Sequence, residues 1–249
     1  MTTVAVVNRP VALPRTVLAR LWELEGLGNP HPVVGVSDLY VPQDDRPQAD
    51  ARTFRALEEL GIAEGGLLTR NFRVALRLLA SPDRELHCWS SHADDTSANR
   101  ALGVFAAGGE AVAVQVRDDL VTFAPAEEPR LVDEFLGELP RVPAAQVREL
   151  HTSRAAYAQR DERRDVFAAR PEPEQEIDNL MKAPRDAAHQ VYAGATVDGR
   201  YRRSKPFSVI DIRDRGRVVA FADRQQNIHL LPGSPARLAE TFAATWQAM

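Results

Sequence analysis

The chain has 249 residues, of which 44% are apolar and 27% are charged, as in an ordinary soluble globular protein. This length suffices for one large domain or for two small units that share a core. The formal net charge of −4 disfavours general nucleic-acid binding, which normally requires a concentrated basic surface.

The sequence predicts three helices in its first third. Each has apolar residues at helical spacing, and the first two are followed by a glycine, which commonly ends a helix. They cover residues 15–25 before Gly26, residues 49–60 before Gly61, and residues 69–79.

Four strands and a helix are predicted next. Strands at 85–91 and 101–106 precede a hairpin in which 111–117 and 120–124 alternate apolar and polar residues around Asp118 and Asp119. A helix over 128–138 follows, since Leu131, Phe135 and Leu139 recur every four residues along one stripe.

The connector 151–179 is richly charged and interrupted by Pro171 and Pro173, so we expect an exposed helix or a partly mobile loop there. Beyond it, another set of strands precedes a helix over 235–247, whose stripe is formed by Leu238, Phe242 and Trp246. The predicted strands of this set are 190–197, 207–211, 217–222 and 228–231. This order of helices and strands predicts an α+β fold.

The two sets of strands indicate an internal duplication. When residues 109–139 are shifted by 107 positions (109 to 216), Gly109 meets Gly216, Pro125 meets Pro232, and the apolar positions keep their phase. We therefore expect a single domain over 1–249 with pseudo-repeat halves of about 1–150 and 151–249. Its central antiparallel sheet would have two quasi-symmetric halves flanked by helices.

A search for chemical motifs yields no catalytic residues. The best metal-binding candidates are His87, Cys88 and His92, but adjacent residues on a strand point to opposite faces and cannot easily share an ion. No Gly-x-Ser-x-Gly elbow and no phosphate-binding glycine loop is present. Asp94 and Asp95 lie in a polar run typical of a solvated loop. We expect no metal and no cofactor.

A cellular location is indicated by two further features. No apolar run approaches the roughly 18 residues that span a bilayer, and residues 1–14 lack the pattern of a secretory signal. Cys88 is the only cysteine, so an intrachain disulfide is impossible and a reducing compartment is the simpler interpretation. We expect a cytoplasmic protein without membrane insertion.

The most basic segment contains Arg200, Tyr201, Arg202, Arg203 and Lys205. It is interpreted either as a solvated hairpin tip or as a protein contact, because arginine and tyrosine are favoured where a surface is dehydrated on binding.

Scattered short matches in a shared order make the chain resemble the EspG family of type VII secretion chaperones. The C-terminal matches lie at 199–204, 209–211, 216–218 and 231–234, and the N-terminal ones at 17–22, 26–28, 30–32, 57–62 and 81–82. Two places depart from the family pattern: its glycine-glutamine-aromatic step is replaced at 188–192, and the connector 151–170 is unusually rich in arginine and acidic residues.

The resemblance implies a cytosolic chaperone that binds the helical tip of a PPE protein paired with its PE partner, or another helical type VII substrate, and keeps it soluble. It requires no cofactor and no nucleic acid, and it leaves a homodimer open. We expect the partner-binding residues in two places. They are Asp94, Asp95 and Arg100 in the loop of the first sheet half, and Arg200, Tyr201, Arg202 and Arg203 in the second.

Two alternatives stay open. An enzyme would need titratable side chains that converge in a concave pocket. A saddle-like nucleic-acid-binding protein would draw on the duplicated sheet and the arginine patch, and its binding should survive about 200 mM salt.

Overall fold

The computed structural model describes residues 6–35, 42–160 and 171–249. The chain divides into two compact units, each assembled from three stretches of sequence. The first unit comprises Met1–His87, Arg100–Glu138 and Gly194–Arg202, and the second comprises Cys88–Asn99, Leu139–Ala193 and Arg203–Met249. The predicted pseudo-repeat halves of about 1–150 and 151–249, and the internal duplication that relates them, stay predictions.

The elements up to residue 138 begin with β1 (Val11–Pro14), which leads directly into α1 (Arg15–Leu24). The helix α3 starts where the side chain of Thr69 accepts a hydrogen bond from the backbone of Phe72. The remaining elements are α2 (Arg46–Glu59), β2 (Ala63–Glu64), β3 (Leu67–Leu68), α3 (Arg70–Ala80), β4 (Arg84–His92), β5 (Arg100–Ala107), β6 (Glu110–Arg117), β7 (Leu120–Ala126) and α4 (Leu131–Glu138).

Antiparallel pairing joins the strands of the first unit in the order β1-β7-β6-β5. The hairpin β6–β7 pairs Ala111 with Ala126 at one end and Arg117 with Leu120 at the other. Its two-residue turn starts at Asp118, whose positive φ of 50° suits the tight turns of twisted hairpins. This pairing confirms the hairpin that the sequence predicted over 111–117 and 120–124.

The elements after residue 138 end with α7, which begins at Pro235 after the side chain of Ser234 accepts a hydrogen bond from the backbone of Arg237. The elements are β8 (Leu150–Ser153), α5 (Arg154–Ala158), α6 (Pro173–Lys182), β9 (Arg185–Val197), β10 (Arg200–Arg203), β11 (Phe207–Ile212), β12 (Gly216–Ala222), β13 (Asn227–Pro232) and α7 (Pro235–Gln247). The strands of the second unit follow the order β9-β11-β12-β13-β8.

The two helices with predicted apolar stripes cover the cores of their units. Phe135 of α4 and Phe242 of α7 are fully buried, and the ring of Phe242 lies 5.5 Å from that of Phe207. In the first unit, the rings of Phe72 and Phe123 meet edge to face at 5.2 Å. The buried phenylalanines confirm that both stripes face a core.

The predicted fold class is confirmed: among the described residues, eleven strands belong to a large antiparallel sheet, and helices flank it. The described part of the chain contains no helix long and apolar enough to cross a membrane.

The expectation of an exposed helix or loop over residues 151–179 holds for α5, which has no buried residue, but it was wrong for the strand before α5 and for α6. The strand β8 pairs with β13 from Leu150↔Leu230 to Ser153↔Asn227. Pro173 does not interrupt a helix but occupies the first turn of α6, where its missing N–H costs nothing. The helix buries Ile177 and Leu180 in the apolar cluster of the second unit. Residues 161–170 of the predicted connector lie outside the described residues.

Candidate partner-binding surface

The hairpin β9–β10 carries Arg200, Tyr201, Arg202 and Arg203, which the sequence predicted as partner-binding residues. Asp198 and Gly199 form its two-residue turn, with φ values of 51° and 70°, as in the turns that suit the strand twist. All four residues of β10, Arg200–Arg203, are exposed. An extended strand places Arg200 and Arg202 on one face and Tyr201 on the other.

Tyr201 fixes this strand to the interior of the first unit. The residue is 49% exposed, but its hydroxyl donates a 2.6 Å hydrogen bond to Oε1 of the buried Glu85. Gly194 makes room for this contact, because a Cβ atom there would lie 2.6 Å from the tyrosine oxygen and 2.8 Å from Cγ of Glu85. The hydrogen bond to Glu85 therefore fixes the position of the exposed Tyr201 side chain on this strand.

The Glu85 carboxylate lies among two histidines of the same unit. Nδ1 of His87 is 2.8 Å from Oε1, and Nε2 of His31 is 3.1 Å from Oε2. Burial alone would raise the pKa of Glu85, but the hydrogen bonds from His31 and His87 outweigh burial and lower the pKa from 4.5 to about 2. Glu85 is therefore a buried carboxylate that stays ionised at neutral pH.

Ligand atoms of His31, Glu85 and His87 lie within 4.8 Å of one another, which is close enough for a metal ion. However, Nδ1 of His31 accepts a 3.2 Å hydrogen bond from the backbone N–H of Val33. In the neutral ring the proton then resides on Nε2, which faces Glu85 and offers no lone pair to a metal. The arrangement thus favours hydrogen bonds to Glu85 over metal coordination.

The metal-binding candidates in the sequence were His87, Cys88 and His92, whereas the structure groups His87 with His31 and Glu85. His31 precedes Glu85 by 54 residues, so no local spacing pattern could have indicated this cluster. The sulfur of Cys88 lies in the second unit, 3.7 Å from the hydroxyl of Ser90.

A serine, a histidine and an aspartate meet inside the second unit. Nδ1 of His189 lies 2.8 Å from the hydroxyl of Ser90, and Nε2 lies 3.2 Å from Oδ2 of Asp211. Catalysis would require the serine to face a substrate, but Ser90 is only 4% exposed. Arg217 also donates hydrogen bonds of 2.6 and 2.9 Å to both oxygens of Asp211. We interpret this group as a structural network.

The network also determines the charge of its carboxylate. Burial would raise the pKa of Asp211, but the hydrogen bonds from Arg217 and His189 together outweigh it and lower the pKa. Arg217 donates a further 2.9 Å bond to the backbone carbonyl of Pro140, so the ion pair also fixes the segment after α4.

The other predicted contact residues lie on the connection between β4 and β5. Asp94 is exposed and forms an ion pair with Arg213. The exposed Asp95 caps a short 3-10 turn and accepts hydrogen bonds from the backbone and side chain of Ser97. Arg100 donates to the carbonyl of Glu138. These three residues have structural partners, and their role in binding stays a prediction.

Comparison with known proteins identifies the fold. The family model described as the EspG family matches residues 15–243. A solved structure of the Mycobacterium tuberculosis type VII secretion system chaperone EspG5 in complex with the PE25-PPE41 dimer is similar, with a TM-score of 0.66 at 14% identity. The similarity covers 92% of this chain and 92% of that one. No curated protein matches the chain. Since the family model covers most of the sequence, the chain belongs to the EspG family.

Proposed function

We propose that this chain is a cytoplasmic chaperone of type VII secretion that binds the helical tip of a PE/PPE-like pair. It keeps the pair soluble until export. The observation that carries the proposal is the family match over residues 15–243. The similar fold of a chaperone that was solved with a PE–PPE dimer supports the same partner class.

A chaperone that covers an apolar helix tip needs an exposed surface that is already ordered before the partner binds. An apolar helix tip is an aggregation hazard in water until another protein covers it. The β9–β10 hairpin offers three exposed arginines and the anchored ring of Tyr201, which are residue types enriched where interfaces lose water. Arg203 lies with its guanidinium 4.8 Å from the ring centre of Tyr192, so its position is set as well. We therefore place part of the partner contact on this hairpin.

The enzyme alternative is disfavoured by the burial of the two polar clusters. Glu85 and His87 are 0% exposed, and His189 is 1% exposed, so these titratable groups do not face a substrate. Exposed groups that converge in a pocket are what catalysis requires.

Co-purification tests the proposal. An affinity-tagged copy of this chain is co-expressed with each PE/PPE-like pair encoded in the same genome, and with an unrelated helical heterodimer as the control. We expect one stable ternary complex that co-elutes in size-exclusion chromatography, whereas the unrelated heterodimer elutes alone. Failure to retain any of the pairs would overturn the proposed function.

A further inference from the structure

Two histidines face each other across the strand pair β13–β8 of the second unit. His229 is paired directly with His151 in the antiparallel register. Their Nδ1 atoms lie only 2.8 Å apart, and the ring planes are inclined by 74°. Directly opposed side chains on antiparallel strands are held close by the backbone, so this approach needs no special loop.

The protonation of His229 is set by its other nitrogen. Nε2 lies 2.9 Å from Oδ2 of Asp223, so Nε2 carries the proton and Nδ1 has a lone pair directed towards His151.

Asp223 is itself held in place. It accepts a 2.8 Å hydrogen bond from the backbone of Asn227 and a 3.0 Å bond from the side chain of the same residue. The ring of His229 also stacks on that of Phe221, with centres 4.9 Å apart and planes inclined by 10°. The hydrogen bond to Asp223 and the stacking on Phe221 together fix the orientation of the His229 ring, and with it the direction of the lone pair on Nδ1.

A carboxylate also lies near His151, whose Nε2 is 4.0 Å from Oε2 of Glu149, which is beyond hydrogen-bond distance. Glu149 forms an ion pair with Arg237. If the proton of His151 moves from Nδ1 to Nε2, towards Glu149, the Nδ1 atoms of both rings present lone pairs to the same point. A carboxylate hydrogen-bonded to the second ring nitrogen, as Asp223 is to His229, is usual around metal-binding histidines.

We propose that His151 and His229 form a two-histidine site for a divalent transition ion such as Zn²⁺, with Asp223 orienting the ring of His229. Zn–N bonds of about 2.0–2.1 Å place two ligand nitrogens about 2.9 Å apart at a right angle and about 3.3 Å apart in a tetrahedron. The observed 2.8 Å therefore needs an opening of a few tenths of an ångström.

The site is reachable from solvent, because the side chain of His151 is 52% exposed and that of His229 is 22% exposed. Water or a donor atom from another molecule completes the coordination. An ion there would cross-link β8, which lies at the end of the strand order of its unit, to its neighbour β13.

Isothermal titration of the untagged full chain with ZnCl₂ tests the proposal. We expect one equivalent of Zn²⁺ to bind, and we expect this binding to be lost in His151→Ala and in His229→Ala. His92→Ala, which removes a histidine outside the pair, should bind as the wild type does. Asp223→Asn should bind 10–100-fold more weakly, as is typical when a carboxylate behind a metal-bound histidine is removed.

Thermal midpoints measured without metal establish that each variant folds. Binding to wild type should also raise its midpoint, whereas the midpoints of the two alanine variants at β8 and β13 should not respond to Zn²⁺. The proposal is overturned if the wild type binds no Zn²⁺, or if both alanine variants bind it with wild-type affinity. An unchanged affinity in Asp223→Asn would contradict the orienting role of that carboxylate.

Discussion

The hydroxyl of Tyr201 joins the exposed strand β10 to the buried Glu85 of the first unit. Tyr201→Phe removes this hydrogen bond to the ionised Glu85 while it leaves the ring in place. We expect a loss of about 1.5–3 kcal/mol in the free energy of unfolding, measured by urea denaturation. Tyr157→Phe is the matched control, because its hydroxyl makes a longer 3.4 Å contact with Asp178. Equal losses in the two variants would contradict the special role of Tyr201.

Glu85 should make stability depend on pH in the acid range. Its pKa is lowered in the folded chain, from 4.5 to about 2, by hydrogen bonds from His31 and His87 that outweigh the opposing effect of burial. A lowered pKa contributes stability above pH 4.5, and this contribution, on the order of 3 kcal/mol, is lost as the pH falls towards 2.

Glu85→Gln, which cannot ionise, isolates this contribution. We expect the difference in unfolding free energy between wild type and Glu85→Gln to shrink as the pH is lowered from 4.5 towards 2. Denaturation curves across this range measure it. A difference that does not change with pH would show that Glu85 is not held ionised by its two histidines.

At the scale of the element, the helix α7 owes its position to one apolar stripe. Phe242 is fully buried against Phe207. Phe242→Ala should cost about 3–5 kcal/mol of unfolding free energy, because it removes buried surface and leaves a cavity. Glu240→Ala on the exposed side of the same helix should change stability by less than about 0.5 kcal/mol. A neutral Phe242→Ala in a denaturant melt would contradict the assignment of the stripe to the core.

The hairpin β9–β10 is the element in which a binding defect and a folding defect can be separated. Replacing Arg200, Arg202 and Arg203 by glutamate should weaken capture of the PE/PPE-like pair and leave the thermal midpoint nearly unchanged, because the three side chains are exposed. Binding is measured by surface plasmon resonance. An unaltered affinity would exclude this hairpin as a contact.

A second triple variant controls for net charge. Arg52, Arg55 and Arg70 are also exposed, and their replacement by glutamate changes the charge by the same amount in α2 and α3. We expect this variant to bind the pair like the wild type. Equal weakening in both triple variants would mean that the overall charge of the chain, and not the hairpin, controls capture.

Elements with strong local signals could be predicted from the sequence. The helix over 235–247 was predicted with the bounds that the structure gives, since Ser234 caps it and Leu238 and Phe242 mark its buried face. The short strands β1 and β8 were missed, because four residues carry too little alternation to be distinguished from a loop. Pro173 was misinterpreted, since proline is compatible with the first turn of a helix as well as with a break.

The polar clusters could not be predicted because they are assembled across long stretches of chain. Tyr201 reaches Glu85 across 116 residues, and His189 reaches Ser90 across 99. Only strand pairing brings these side chains together. The exposure of β10, in contrast, follows from local composition, because four consecutive polar or amphipathic residues cannot line a core.

At the scale of the whole molecule, family membership and fold are in agreement. The family model covers residues 15–243, and a chaperone of this fold has been solved with a PE–PPE dimer. Two segments depart from the sequence pattern of the EspG family, namely residues 188–192, which lie within β9, and the connector 151–170.

Light scattering by the purified PE/PPE-like pair, with and without this chain, tests the chaperone function most directly. We predict that an equimolar amount of the wild-type chain suppresses aggregation of the pair, and that the triple glutamate variant of β10 suppresses it less. If the pair aggregates at the same rate in the presence of the wild-type chain, the proposed function is contradicted.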